Sequence, residues 1–114
     1  MALYYELPVY RDTYILILLI FQYTKDFGRE YKYTLGHDMK RDAMVLVRGI
    51  YRANKSKEKQ EYLETLLDDF ELLKLQIRLC HDLKLMNSKQ MAEISLLTES
   101  IGKQTTAWKN KNSN

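Results

Sequence analysis

Between Leu63 and Cys80, apolar residues return at every third or fourth position: Leu63, Leu66, Phe70, Leu73, Ile77 and Cys80. A strand cannot gather such a series on one face, because its side chains alternate with a period of two. An unbroken three–four seam specifies a helix packed in a bundle. The punctuation residues agree. Four glycines and one proline in 114 residues are too few to turn an all-β chain at the end of each strand. The expected fold class is all-α, with long helices on short links.

The other helices follow from the same reasoning. Pro8 is pre-set for a first helical turn. After it, Tyr10, Tyr14, Ile17, Phe21 and Thr24 recur at helical spacing, with Val9, Thr13, Leu16 and Ile20 on the neighbouring face. A helix apolar over so much of its circumference belongs in the middle of an assembly. Gly28 is the expected stop. Thr34 is the expected N-cap of a second helix with Leu35, Met39, Ala43, Leu46, Ile50 and Ala53 inward. Ser56 is the expected N-cap of the third helix, and Ser88 that of a fourth carrying Met91, Ile94, Thr98, Ile101, Thr105 and Trp108. The predicted helices cover residues 8–26, 34–54, 57–85 and 88–109 of a single domain, 1–114. The polar tail after Trp108 is expected to fray. Short links make the bundle up-down-up-down and antiparallel. A second stripe on the third helix, Leu72, Leu75, Leu79 and Leu83, exceeds what one bundle seam uses and is a candidate subunit interface.

Composition narrows the function classes. Hydrophobic residues at 46% and charged residues at 29% describe a globular chain. A single cysteine excludes an internal disulfide and any multi-cysteine metal site. The N-terminal MALYYELPVY lacks the basic start and apolar core of a secretory signal. The longest apolar run, Tyr14–Phe21, falls far short of the ~20 residues a spanning helix needs. A cytoplasmic location without a membrane partner is the expectation.

No catalytic constellation emerges. Asp26-Phe27-Gly28 spells a kinase metal-binding triplet, but neither the glycine-rich loop nor the catalytic-loop motif accompanies it. Gly28 and Gly36 lack phosphate-loop spacing and read as a helix stop and a close-packing position. His37 and His81 each precede an aspartate, and neighbours at i and i+1 do not share a helix face. The Glu-x-x-His pairs of a di-metal bundle are absent, so neither a metal nor a cofactor is expected. Cys80 lies on the apolar seam and reads as a small buried hydrophobe. The acids Glu61, Glu64, Asp68, Asp69 and Glu71 spread around the third helix as a solvated face. The chain is not expected to be an enzyme.

Charge is distributed unevenly. Residues 25–59 hold ten Lys/Arg against five Asp/Glu, whereas residues 60–80 hold two against five. Arg41, Arg48, Arg52 and Lys55 follow spacings of seven, four and three, which places them on one helix face. Arg29, Lys32 and Lys40 flank its start, and Lys57 and Lys59 its end. A line of cations along a helix can track a phosphate backbone, and Tyr31, Tyr33 and Tyr51 can add stacking on unpaired bases. The alternative is a solvated face paired with acids of a neighbouring helix, Glu61, Glu64 or Asp68. Periodicity leaves both open. Arg78, set among apolar neighbours, pairs at i+4 with Asp82 or is presented at an interface.

Four segments, FGREYKYTLG at 27–36, IYRAN at 50–54, IRLCHDLKLMNSKQ at 77–90 and IGKQTTAW at 101–108, carry a resemblance. They resemble the four-helix-bundle family that includes proteins encoded within intervening sequences of bacterial large-subunit ribosomal RNA genes. More closely, they resemble the accessory variability determinant (Avd) family of diversity-generating retroelements. The resemblance implies a homopentameric barrel of bundles with a positive surface, which binds the element's reverse transcriptase and its template RNA without being a catalyst. The alternative within the wider family is an oligomer serving as a structural or protein-interaction module.

Overall fold

A computed structural model describes residues 2–113; Met1 and Asn114, included in the 1–114 domain, lie outside the described residues. After a single 3-10 turn, Tyr4–Glu6, the chain forms α1 (Pro8–Thr24), α2 (Arg29–Lys32), α3 (Leu35–Lys55), α4 (Gln60–Asp82) and α5 (Ser88–Lys111). Helix α2 is one turn; the other four build an antiparallel up-down-up-down bundle of 45 × 23 × 22 Å. The described residues contain no strand. Helix α1 packs against α3 and α5, and α4 packs against the same two. Helices α1 and α4 therefore stand on opposite corners.

The inward stripes of α3 and α4 are those the spacing predicts. Met39, Ala43, Leu46, Ile50 and Ala53 face Leu63, Leu66, Phe70, Leu73, Ile77 and Cys80 across a closed core. On α5, Ile94, Ile101 and Thr105 complete it. Helix α1 buries only one of its two apolar faces. Its buried face is Val9, Thr13, Leu16, Ile20, Tyr23 and Thr24, whereas Tyr14 and Phe21 are exposed. Both faces of α1 are apolar, so hydrophobicity alone cannot orient it. The buried threonines satisfy themselves: Thr13 and Thr24 donate their hydroxyls to the carbonyls of Val9 and Ile20, each at 2.7 Å, which removes the penalty of an unpaired buried group.

Every link corrects a predicted boundary. Helix α1 ends at Thr24, not 26, and Phe27 tucks into the core with its N–H donating to the Thr24 carbonyl at 3.1 Å. Gly28 does not stop α1; it caps α2, where its carbonyl accepts from Tyr31 and Lys32. Gly36 is the close-packing glycine, since a Cβ there would lie 3.2 Å from the Tyr31 carbonyl oxygen. Thr34 precedes α3, but its hydroxyl turns back to the Glu30 carbonyl at 2.7 Å and caps nothing in α3. Ser56 likewise turns back, donating to the Arg52 carbonyl at 2.7 Å.

Helix α4 begins at Gln60 with Lys59 as its N-cap residue, whose carbonyl accepts from the Leu63 N–H at 2.9 Å, while the Lys59 side chain closes the end of α3. Its Nζ donates to the carbonyls of Ala53, Asn54 and Ser56 at 2.8, 2.9 and 2.7 Å, satisfying acceptors that a helix C-terminus leaves open. Asn87, not Ser88, caps α5. Its Oδ1 accepts from the Gln90 N–H at 2.8 Å and Gln90 Oε1 accepts from the Asn87 N–H at 3.0 Å, the reciprocal pair of a capping box. Helix α5 continues to Lys111, beyond the predicted end at 109.

Helix α4 ends at Asp82, short of 85, in a turn that reverses at Lys84. The Leu85 N–H donates to the Cys80 carbonyl at 2.8 Å and the Lys84 N–H to the His81 carbonyl at 3.0 Å. This double closure needs a left-handed residue, and Lys84 has φ 60°, a region glycine occupies without the Cβ penalty. Replacing Lys84 with glycine is expected to stabilise the chain by ~1 kcal/mol, raising the melting temperature by several degrees. An unchanged or lower thermal midpoint would count against this account of the turn.

Candidate nucleic-acid interface

Helix α3 turns Arg41, Arg48, Arg52 and Lys55 to solvent on the side opposite its core stripe. From Arg41 to Lys55 the line runs ~21 Å at the helical rise. Arg29 of α2 is exposed beyond its start, and Lys32 and Lys40 are half-buried beside it. Lys57 is exposed past the far end, while Lys59 is withdrawn into the α3 cap.

The acids around this line are not those the structural alternative required. Arg41 meets Asp38 at 3.5 Å and Asp42 at 3.3 Å, both on its own helix, and keeps 60% of its side chain exposed. Asp42 in turn accepts from Gln76 Nε2 of α4 at 2.7 Å. Arg48 faces Asp69 of α4 electrostatically. Burial pushes the Asp69 carboxyl above its usual range, Arg48 pulls it down, and Asp68 and Asp42 push it up. Glu64 reaches across to Lys109 at 3.7 Å. Among the described residues, none of Arg29, Lys32, Lys40, Arg48, Arg52 and Lys55 makes an ion pair within 4.0 Å.

Several of these cations lie on aromatic faces instead. Lys55 Nζ stands 4.7 Å from the Tyr51 ring centre, Lys40 5.5 Å from Phe21 and Lys32 5.9 Å from Tyr33. Such contacts hold a cation at a surface without neutralising it.

The profile of the bAvd-like family matches residues 9–112, nearly the whole chain. The chain belongs to the bAvd-like family. No curated protein matches it significantly. Membership supports a general accessory or structural role for this bAvd-like chain.

The rest of the bAvd-like surface is more apolar than a lone bundle requires. Leu72, Leu75, Leu79 and Leu83 are all exposed, Leu75 by 56%. On the opposite corner, α1 exposes Tyr14, Ile15, Leu18 and Phe21. The sequence shows α1 apolar over both faces; the fold leaves the Tyr14–Phe21 face open. Arg78 is 78% exposed and meets Asp82 at 3.6 Å, so it holds no buried interaction within the protomer. It stands beside the leucines, on the rim of an open groove between α4 and α5 that His81, Ser88 and Met91 also line.

Cys80 behaves as the seam position predicts. It is fully buried, its thiol 3.3 Å from Met39 Sδ, and burial pushes it up to about 12. A thiol so protected is not a nucleophile. His37 and His81 are both exposed. Among the described residues, no group of three or more His, Cys, Asp or Glu side chains could hold a metal, and no helix is long and apolar enough to cross a membrane.

Proposed function

We propose that this chain is the RNA-binding accessory subunit of a diversity-generating retroelement, holding template RNA and the reverse transcriptase together in the cytoplasm. The observation that carries the reading is the outer face of α3. Arg48, Arg52 and Lys55 stand there exposed, with no carboxylate of the described residues within 4.0 Å, beside the partly paired Arg41. Arg29, Lys32 and Lys40 extend the line at its start. Desolvating this face against protein would strand several charges, whereas phosphates would pair them and release counterions.

The accessory subunit works as a homo-oligomer, a pentamer in the reading the resemblance supports. Two dissimilar apolar faces on opposite corners suit a head-to-tail contact, in which the α1 face of one copy meets the α4 leucines of the next. A contact of that kind closes into a ring when its rotation allows. Arg78 rims the α4 side of this contact. A purely structural oligomer of the intervening-sequence kind would use the same apolar faces but leave the α3 cations without a task.

The test is RNA affinity against salt for the unmodified protein. The logarithm of the binding constant is expected to fall linearly with the logarithm of salt, losing ~0.7–0.9 for each phosphate contact. Binding that ignores salt, or none at low salt, would overturn the reading.

A further inference from the structure

At the end of the bundle where α1 begins and α3 ends, four tyrosines from three elements form one cluster. The Tyr4 ring meets Tyr5, Tyr10 and Tyr51 edge-on, at centroid distances of 5.4, 5.5 and 5.2 Å. The Asn54 amide donates to the Ala2 carbonyl at 3.0 Å and ties the leading segment to α3. Tyr4 and Tyr10 are half-buried in this arrangement, but Tyr5 and Tyr51 remain 51% and 44% exposed. Tyr4 fixes both rings; the Lys55 ammonium lies over one face of Tyr51, and the remaining exposed ring surface is open. Lys55 rides on Tyr51, and Arg52 and Arg48 continue along the same helix.

Structural packing accounts for Tyr4, which locks the segment before α1. It does not require two further large aromatic side chains to be held in place and left open to water. A rigid aromatic surface bordered by exposed cations matches the chemistry of an unpaired strand: the bases stack and the phosphates meet the charges. Duplex RNA fits less well, because its bases are already stacked on one another and offer no free face.

Resting on the RNA-binding reading above, we infer that Tyr5 and Tyr51 are a stacking platform for unpaired bases, with Lys55 and Arg52 seating the adjoining phosphates. The α3 line thereby acquires a defined end, where a single-stranded segment of the RNA is gripped.

The experiment compares a fluorescein-labelled uridine-rich RNA strand with the same strand carrying abasic sugars at internal positions. The two have equal charge and differ in whether bases are present; the tyrosine variants then isolate stacking. The unmodified protein is expected to bind the base-bearing strand about tenfold more tightly, as stacking of one or two bases provides. Tyr5→Ala combined with Tyr51→Ala should remove that preference and leave the salt slope unchanged, while Tyr5→Phe with Tyr51→Phe should keep it. Equal, salt-dependent affinity of the unmodified protein for both strands would overturn the platform and leave the RNA-binding reading standing. Tighter binding to the matching duplex would also overturn it. Failure to bind either strand would overturn both readings. The comparison on the unmodified protein decides the matter even if the alanine variant loses helicity.

Discussion

Replacing Arg41, Arg48 and Arg52 together with glutamate is expected to abolish RNA binding at physiological salt while the bundle stays folded. Each arginine engaged with a phosphate contributes ~0.7–0.9 to the salt slope, so the slope measured at low salt should drop by about two to three. The loss should be similar for RNAs of different sequence, since phosphate contacts carry no sequence information. Fluorescence anisotropy over a salt series reads both quantities. Undiminished affinity in a folded triple variant would remove these residues from the interface.

One contact complicates the variant and supplies its control. Arg48 holds down the Asp69 carboxyl, which burial has already raised; a glutamate at 48 would push it higher. A carboxyl raised in the folded state gives a stabilising contribution that is complete below the unfolded value, near 3.8, and is lost as pH rises through the folded value. The glutamate variant should therefore be less stable near neutral pH than in mild acid. The triple glutamine variant avoids the added repulsion and should still reduce the slope, so a charge effect on RNA can be told apart from a fault in folding.

Replacing Leu75 and Leu79 with aspartate is expected to reduce the particle to a single chain of 13.6 kDa. Both side chains are already exposed in the protomer, by 56% and 39%, so folding should tolerate the change. In an oligomer each leucine, already about half-buried in the protomer, would contribute ~1 kcal/mol by further burial. Each aspartate would instead bring an unpaired charge into an apolar contact, at a further cost of several kcal/mol. Two such changes repeated at every contact exceed what an interface of this kind survives. Light scattering coupled to gel filtration gives the mass, and circular dichroism checks the helices. An unchanged oligomer would move the contact to another surface, and a monomeric unmodified protein would remove the assembly altogether.

The stripes of α3 and α4 were readable because each helix is polar on its outer side or carries a continuous inner seam, so burial has one solution. Helix α1 offered two apolar faces, and the choice was made by partners remote in sequence. Tyr23 turns inward where its hydroxyl can donate to Glu93 of α5 at 2.6 Å, and Asp12 accepts from Ser100 and Gln104 of the same helix, both at 2.7 Å. The links depart from the sequence pattern for a related reason. Ser56 and Thr34 have the chemistry of N-caps, but a hydroxyl can equally turn back to a carbonyl four residues behind, as both do. The spacing of seven, four and three located the α3 cations, since a shared helix face needs no partner to define it. Their acidic neighbours could not be located that way, because Asp69 meets Arg48 only through the packing of α3 on α4. The tyrosine cluster was beyond reach because it joins Tyr4, Tyr10 and Tyr51 from elements separated along the chain.

The diagonal placement of α1 and α4 bears on how strongly such a protein could hold a long polyanion. If copies join through those corners, α3 of every copy faces the same wall of the assembly and α5 the other. The cationic lines would then be presented side by side, and an RNA bound at one would meet the next at a high local concentration. Such linkage can multiply a modest single-site affinity by ~10²–10⁴ with no new contact. A chain with a net charge of only +3, joined through those corners, would then owe its hold on a polyanion to the number of copies rather than to the charge of each.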